Sequence, residues 1–335
     1  MLDTRVIFIE GIPGSGKSTT AQFLAWHLQR AGIPAVWWYE EMRDHRLFVF
    51  HDLQTLQETV DKLFSGRHQE VVEAALARWR AFVEEHARRD AVAVFDSCLF
   101  GYMTWGLFPA DVPWGEIEAY VAEVERIIAP LNPAVIYLSQ QDIGRALRRI
   151  IERRGRDTEE FLVGRTTGNP YGKRLGLQGF EGLIRHWTDF RALTDGLFAR
   201  CPFEKLAIEN SAGDWRAYEA RMLDFLGLPQ LADDEPPPAG LHRFAGIYAR
   251  IGQEDGEDCR VELAADGLLL EGLDIVWTRS RLLPRGGARF AVQSLPFEVT
   301  FEEADSGGVT GLRLAGPGML HGPVDRRYAR IPDRR

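Results

Sequence analysis

The sequence of 335 residues has little cysteine, no long hydrophobic run and no excess of positive charge. Its three cysteines, Cys98, Cys201 and Cys259, lie far apart and form no CxxC pair, which argues against a disulfide framework or a zinc site. No stretch approaches the roughly 18 consecutive apolar residues of a membrane helix, so we expect no membrane association. The net charge of −9 disfavours a nucleic-acid partner, because a polyanion would be repelled.

The first residues also lack a basic segment followed by a cleavable apolar stretch, so we expect a cytoplasmic protein. Hydrophobic residues make up 45% of the chain and charged residues 27%, a composition that can bury a substantial core. A chain of 335 residues exceeds the usual length of one domain. We therefore expect two folded domains.

Short apolar runs alternate with helical periodicity along the first 230 residues. The runs predict five strands, at 5–10, 34–39, 91–95, 134–138 and 205–208. The periodicity predicts helices at 17–30, at about 53–89 with a break near Ser65 and Gly66, up to about 129, and at 142–154. Strands that are apolar throughout and alternate with helices predict an α/β fold, with a parallel five-stranded sheet sandwiched by helices.

The composition changes at residues 232–240, ADDEPPPAG, where charge and three consecutive prolines exclude a helix interior and a central strand. We therefore predict a first domain at 1–230 and a linker at 231–240. Beyond the linker, segments such as FEVTFEEA alternate with period two between glycine turns. This pattern predicts a small antiparallel, barrel-like β domain at 241–320 and a tail at 321–335.

The most specific motif is GIPGSGKS at 11–18, which fits GxxxxGK[ST] and lies between a predicted strand and a predicted helix. Glycines in such a loop let backbone N–H groups surround a phosphate, the lysine reaches the β and γ oxygens, and the serine ligates magnesium. The motif predicts a P-loop NTPase fold that binds ATP with Mg²⁺. The expected binding residues here are Gly11, Gly14, Ser15, Gly16, Lys17, Ser18 and Thr19.

Carboxylates follow the predicted strands at the edge where the phosphate loop lies. Asp96 ends the third strand, where it could act on the metal or on the acceptor, and we predict Ser18 and Asp96 as the metal ligands. Glu40 and Glu41 follow the second strand and could accept the proton of an acceptor hydroxyl. A helix cap at Asp96 and solvated glutamates in a loop are the alternative interpretations.

Arginines crowd the predicted helix at 142–154 and its end. Repulsion between like charges at i, i+4 spacing disfavours such density without an anion, and bound phosphates would relieve it. Guanidinium groups also stack on nucleobases. The alternative is a solvated helix that pairs with nearby glutamates. The arginines are Arg145, Arg148, Arg149, Arg153, Arg154 and Arg156.

With these motifs, about the first 228 residues resemble P-loop nucleoside and nucleoside-monophosphate kinases, especially thymidylate kinase and the deoxynucleoside kinases. The segment RIIERRGR at 149–156 is similar to the lid helix of deoxynucleoside kinases. The resemblance implies that Arg149 stacks on adenine, and that Arg153 and Arg156 hold the phosphoryl group in transfer. The segment FDS at 95–97 corresponds to an acidic residue, an arginine and a serine or aromatic residue in those kinases, and the arginine is absent here.

The same resemblance implies that Glu41 is the general base, with Glu40 equally consistent, and that residues 210–214 contact the adenine edge. Residues 164–174, polar and rich in glycine, are interpreted as an acceptor-side loop or a surface insertion. The apolar residues that follow Asp96 could stack an aromatic acceptor, although their spacing favours a core. They are Phe100, Tyr102, Met103, Trp105 and Phe108.

The C-terminal region resembles the small lipocalin-like β domain appended to some penicillin-binding-protein-like serine hydrolases. The resemblance rests on FAGIY at 244–248, LLP at 282–284 and FEVTFEEADSGGVTGLRL. Such domains have no fixed activity, so the resemblance implies an accessory role.

Together these features predict a kinase that moves the γ-phosphoryl group of Mg-ATP to a small acceptor such as a nucleoside, nucleotide, metabolite or antibiotic. The predicted catalytic residues are Lys17, Glu41, Asp96, Arg149 and Arg153. The alternative is a nucleotide-dependent switch whose β domain binds a partner. The absence of an NKxD sequence weakens a GTPase version of that switch, and the acidic net charge disfavours a polynucleotide kinase.

Overall fold

A computed structural model describes residues 3–155, 157–231, 240–252, 258–272 and 278–332. The chain forms two compact units, Met1–Ile151 with Arg156–Leu231, and Glu152–Gly155 with Ala232–Arg335. Nearly all of the predicted linker at 231–240 lies outside the described residues. Among the helices that are described, none has the length and apolar character to cross a membrane.

A parallel sheet of five strands, in the order β2-β3-β1-β4-β5, forms the centre of the first unit. The predicted α/β fold is therefore confirmed, and each predicted strand lies within about one residue of the observed one. The phosphate loop follows the central strand, as the P-loop fold requires. The strands are β1 (Val6–Gly11), β2 (Ala35–Trp38), β3 (Val92–Asp96), β4 (Ala134–Ser139) and β5 (Glu204–Glu209).

Ten α-helices are described around this sheet, together with a π-helical turn at Cys98–Tyr102 and a short 3-10 turn at Ala129–Leu131. The helix predicted at 17–30 has those bounds, and the break predicted near Ser65 separates α2 from α3. The α-helices are α1 (Lys17–Arg30), α2 (Leu53–Phe64), α3 (His68–His86), α4 (Thr104–Leu107), α5 (Trp114–Ile128), α6 (Ile143–Arg154), α7 (Asp157–Gly168), α8 (Pro170–Leu175), α9 (Gly179–Arg200) and α10 (Trp215–Phe225).

Two apolar layers cover the two faces of the sheet, because successive residues of a strand point to opposite sides. Phe8 of β1 stacks on Phe95 of β3 and meets Trp79 of α3 edge-on, in the larger layer. Ile9 belongs to the other layer, which contains Leu24 of α1. Since both faces of the central strands β1, β3 and β4 are buried, these strands show no polar alternation in the sequence.

Residues 164–174, interpreted from the sequence as a loop, are largely helical and form the end of α7 and most of α8. The side chain of Asn169 accepts a hydrogen bond from the Gly172 N–H at 2.7 Å and so caps α8, which begins at Pro170. The Tyr171 hydroxyl anchors α8 by donating to Asp189 of α9 at 2.8 Å. The loop interpretation was wrong because these glycines lie within helices, where packing overrides their low helix propensity.

The second unit contains a closed antiparallel barrel, in the order β10-β11-β12-β13-β6-β7-β8-β9. The predicted tail at 321–335 contains β13, which pairs with β12 and β6 and closes the barrel. In its sequence DRRYAR, Tyr328 is the one large residue that is buried. The strand was therefore not recognised from the hydrophobic pattern. The strands are β6 (Gly246–Arg250), β7 (Cys259–Ala264), β8 (Gly267–Glu271), β9 (Arg279–Pro284), β10 (Arg289–Val292), β11 (Glu298–Glu303), β12 (Val309–Ala315) and β13 (Asp325–Arg330).

Aromatic side chains fill the interior of this barrel. Phe301 stacks on Phe244 with ring centroids 4.4 Å apart and meets Phe290 edge-on. The buried Tyr248 hydroxyl donates a hydrogen bond to the Phe244 carbonyl at 2.6 Å. The described interior is thus a packed core.

Candidate active site

The phosphate loop turns from β1 into α1 between two neighbouring helices. Gly14 has φ +78°, and a Cβ there would lie 2.9 Å from the Ile150 side chain of α6. Gly16, which precedes α1, has φ +92°, and a Cβ there would lie 2.4 Å from the indole of Trp215 in α10. Both positions therefore require glycine, for the left-handed backbone and for the close approach of a neighbour.

Lys17 lies folded over its own loop. Its Nζ donates a hydrogen bond to the Ile12 carbonyl at 3.2 Å, and the side chain is buried. The Ser15 N–H donates to the same carbonyl at 3.2 Å, which closes a tight turn. Ser18 and Thr19 follow in the first turn of α1 and are half-buried. A phosphate in the loop would meet the lysine ammonium within a short side-chain movement.

Asp96 ends β3 beside the phosphate loop, because β3 pairs with β1 and Asp96 lies opposite Ile9. Its carboxyl is completely buried. The pKa of Asp96 is raised well above its ordinary value, mainly by burial and then by the charge of Glu40. Lys17 and the Ser18 hydroxyl oppose this shift. Asp96, Lys17 and Ser18 therefore share one electrostatic site.

Glu10 is a buried carboxyl at the end of β1 that the sequence analysis missed. Its Oε1 accepts hydrogen bonds from the N–H groups of Cys98, at 2.9 Å, and Leu99, at 2.7 Å. Burial raises the pKa of Glu10 to about 7, and these N–H groups and Lys17 oppose the shift. An acidic residue in an otherwise apolar strand, next to the glycine motif, was the available signal.

Glu40 and Glu41 lie in the turn after β2 and are half-buried. Because β2 is the neighbour of β3, this turn adjoins the end of the strand that carries Asp96. The Glu40 charge is close enough to raise the pKa of Asp96. Both glutamates remain predicted candidates for the general base.

The residues predicted to bind magnesium fit that ion. Both Asp96 oxygens are buried without a hydrogen bond of normal geometry to a described residue, and the Ser18 hydroxyl is beside them. Within the described ranges, no group of three or more His, Cys, Asp or Glu could hold a metal ion by itself. Magnesium in nucleotide sites commonly takes one or two carboxylates together with phosphate oxygens and waters, so a small donor set is sufficient.

The arginine-rich helix α6 borders the phosphate loop. It begins where the Asp142 carboxylate accepts a hydrogen bond from the Arg145 N–H at 2.8 Å, and its buried Ile150 packs on Gly14. Arg149 and Arg153 are exposed and lie one helical turn apart. Arg156, also predicted to bind the nucleotide, lies outside the described residues.

The turn after β5 reaches the phosphate loop. Asn210 Nδ2 donates a hydrogen bond to the Ser15 carbonyl at 2.5 Å. The Ser211 hydroxyl accepts one from the Gln141 N–H at 3.0 Å. Asp214 caps α10 by accepting from the Ala217 N–H at 3.2 Å. Residues 210–214, assigned by resemblance to the adenine edge, thus lie beside the loop that would hold the phosphates.

Gln140 and Trp215 also contact the phosphate loop and were missed in the sequence analysis. Gln140 Nε2 donates to the Gly14 carbonyl at 3.3 Å, and the Trp215 indole covers Gly16. Both follow strand ends at the edge where open parallel sheets bind their ligands. That general rule could have identified them from the sequence.

The apolar residues after Asp96 mainly build the core, as their spacing favoured. Phe100, Tyr102, Met103 and Phe108 are buried, whereas Trp105 is 41% exposed. The Trp105 ring lies 5.0 Å from the guanidinium carbon of Arg165. Most of this segment therefore packs in the hydrophobic core.

No protein-family model matches the chain, and no curated protein matches it. Solved structures that match include deoxyadenosine kinase from M. mycoides with bound dATP, at 17% identity and a TM-score of 0.37, over 66% of this chain and 99% of that one. Another is the YorR protein from Bacillus subtilis in complex with phosphorylated GDP, at 11% identity and a TM-score of 0.36. That match covers 66% of this chain and 95% of the other.

Proposed function

We propose that this protein is an ATP-dependent phosphotransferase that moves the γ-phosphoryl group of Mg-ATP to a small hydroxylated or phosphorylated acceptor. The observation that carries the proposal is the buried Asp96 carboxyl at the end of β3, beside Lys17 and Ser18 of a complete phosphate loop. A buried carboxyl whose oxygens have no hydrogen bond of normal geometry to a described residue is costly to the fold, which favours a functional reason for keeping it. A bound magnesium nucleotide would satisfy it.

In this proposal the phosphate loop holds the β and γ phosphates through its N–H groups and Lys17. The acceptor oxygen forms a bond to the γ-phosphorus, the bond to the β–γ bridging oxygen breaks, and ADP leaves. Glu41 or Glu40 takes the acceptor proton. Arg149 stacks on adenine, and Arg153 stabilises the charge on the transferred group.

Ser18 and Asp96 would hold the magnesium ion. When bound, the ion neutralises charge on the β and γ oxygens. The protein supplies position and electrostatic stabilisation, which account for most of the catalysis in phosphoryl transfer.

The direct test is transfer of labelled γ-phosphate from ATP to a panel of nucleosides, nucleotides, sugars and aminoglycosides, with magnesium. We expect a labelled product with the wild type and a loss of at least about a hundredfold with Lys17→Ala, because a charge-stabilising donor is removed. Lys62→Ala is the matched control, since the exposed Lys62 side chain forms a long ion pair with Glu70 at 3.8 Å, a type of contact that contributes little to stability.

Near-wild-type turnover by folded Lys17→Ala would overturn the proposal. Hydrolysis of ATP to ADP and phosphate, with no acceptor labelled, would favour the nucleotide-dependent switch instead.

A further inference from the structure

Two buried carboxamides hold consecutive carbonyl groups of the phosphate loop. Gln140 directly follows β4, and its Nε2 donates a hydrogen bond to the Gly14 carbonyl at 3.3 Å. Asn210 directly follows β5, and its Nδ2 donates to the Ser15 carbonyl at 2.5 Å. The two side chains are 3% and 1% exposed, so water does not compete for these bonds.

The chemistry of the side chains suits this contact. A carbonyl oxygen only accepts hydrogen bonds, so the amide nitrogen of each carboxamide must face it. A carboxylate at either position would place oxygen against oxygen. The contacts therefore require Gln and Asn rather than the acids of the same shape.

Fixing a carbonyl also fixes the N–H on the other side of the same peptide plane, because that plane is rigid and trans. The plane between Gly14 and Ser15 is held at both ends, since the Ser15 N–H donates to the Ile12 carbonyl. The plane between Ser15 and Gly16 is held at its carbonyl by Asn210. The Gly16 N–H therefore points away from Asn210, as it must if it is to meet a phosphate.

The loop depends on neighbouring elements to keep this shape. Gly14 and Gly16, on either side of Ser15, have positive φ and no side chains of their own. Ile150 and Trp215 pack against these two glycines, and the two carboxamides bond the carbonyl groups between them. Glycine is the residue with the greatest conformational freedom, so an unsupported loop of this kind would sample many peptide orientations. Ordering it on binding would reduce affinity, whereas a loop ordered in advance avoids that cost.

We propose that Gln140 and Asn210 are positioning residues that preorganise the phosphate loop, Gln140 by holding the turn that the Ser15 N–H closes and Asn210 by turning the Gly16 N–H toward a phosphate. This inference rests on the proposed function for the identity of the ligand. The two residues contact the loop, whereas Lys17 and the loop N–H groups would contact the phosphates themselves.

The test measures binding of magnesium tripolyphosphate, which carries the phosphates without a base, and of Mg-ATP, by calorimetry. Gln140→Met and Asn210→Leu remove the donors and keep a similar shape. We expect each variant to raise the Kd of both ligands by the same factor. That factor should be roughly two- to tenfold, the usual effect of losing one hydrogen bond. The exposed neighbour gives the matched control Gln141→Met, which should bind like the wild type.

Kinetics and a double variant separate positioning from a general loss of structure. We expect the KM for ATP to rise more than kcat falls, because the fixed N–H groups hold the phosphates in the ground state as well. The loss of affinity in the double variant should be smaller than the product of the losses in the two single variants, since both residues fix one loop. If an apolar variant fails to fold, Gln140→Glu and Asn210→Asp keep the shape and should weaken both ligands at least as much.

Folded variants that bind tripolyphosphate like the wild type would overturn the inference and leave the proposed function intact. A wild type that binds tripolyphosphate tightly but phosphorylates no acceptor would overturn the proposed function and leave the inference intact. A wild type that binds neither ligand would overturn both.

Discussion

At the scale of single residues, the site combines buried acids with few cations. Residues 97–108, which follow Asp96, contain no lysine or arginine, and Ser97 occupies the position after the acid with φ 62°. The Glu10 carboxylate accepts hydrogen bonds from the next two N–H groups, those of Cys98 and Leu99. In the proposed reaction, the phosphate loop and the arginines of α6 would therefore neutralise the charge of the transferred phosphoryl group.

Arg149 and Arg153 should act differently if α6 supplies these charges. Replacing Arg149 with Ala should chiefly raise the KM for ATP, because stacking on adenine is the same in the ground and transition states. Replacing Arg153 should lower kcat, by on the order of a thousandfold, because its phosphoryl contact strengthens in the transition state. Steady-state kinetics, with folding checked by circular dichroism, measure both.

Arg148→Ala is the matched control for these variants. Its guanidinium carbon lies 4.5 Å from the ring centroid of Phe180 in α9, so it serves packing. Wild-type parameters for both Arg149→Ala and Arg153→Ala would identify the arginines as a solvated surface and favour the switch over the kinase.

At the scale of secondary structure elements, α7 and α8 show how packing overrides a loop-like composition. The segment is held by the Asn169 cap and by close contact between the two helices. A Cβ on Gly172 would lie 2.0 Å from the Thr166 carbonyl oxygen, a backbone atom that cannot move aside on its own. This glycine is therefore required by the contact between α7 and α8.

Gly172→Ala should destabilise the protein by about 1–3 kcal/mol, the usual cost of overpacking a close contact. The matched control is Gly164→Ala in the middle of α7, where a Cβ would meet nothing within 4 Å. That variant should be neutral or stabilising by about 0.5–1 kcal/mol, since alanine favours a helix over glycine. Urea denaturation of both variants measures the free energy of unfolding. Equal stability of the two would contradict the contact.

At the scale of the whole molecule, the first unit has its own cores. The buried residues in the two layers of the sheet all lie between Val6 and Leu228. The described interior of the barrel is a separate aromatic core built around Phe301. The first unit and the barrel therefore each have a core of their own.

A chain truncated after Leu231 should therefore fold and bind Mg-ATP, because its apolar surface is already buried within the first unit. Limited proteolysis of the full chain should cut between Pro229 and Gly240, where the three prolines and acidic residues of the predicted linker lie. Circular dichroism and calorimetry of the purified truncated chain measure folding and binding. Insoluble truncated protein, or no cleavage in that segment, would show that the parts depend on each other.

Much of the fold could be predicted from the sequence because its signals are local. Five apolar runs and the helical periodicity between them gave the parallel sheet, and the last strand of the barrel was missed because Tyr328 is its only large buried residue. In the candidate site, the position of the phosphate loop and of Asp96 at the end of β3 could be predicted, whereas Glu10 was missed although it is the one acidic residue in an otherwise apolar strand. A motif reports backbone geometry, but it does not report which side chains come to lie beside it.

The position of the phosphate loop follows from local sequence alone, since GIPGSGKS has glycines where the backbone takes positive φ and a helix begins at Lys17. The contacts that hold that loop come from distant parts of the chain. Gln140 and Asn210 lie 126 and 195 positions from the carbonyls they bind. They meet the loop because the strand order places β4 beside β1 and β5 beside β4. Strand order depends on how the whole chain packs its apolar faces, and no local pattern encodes it.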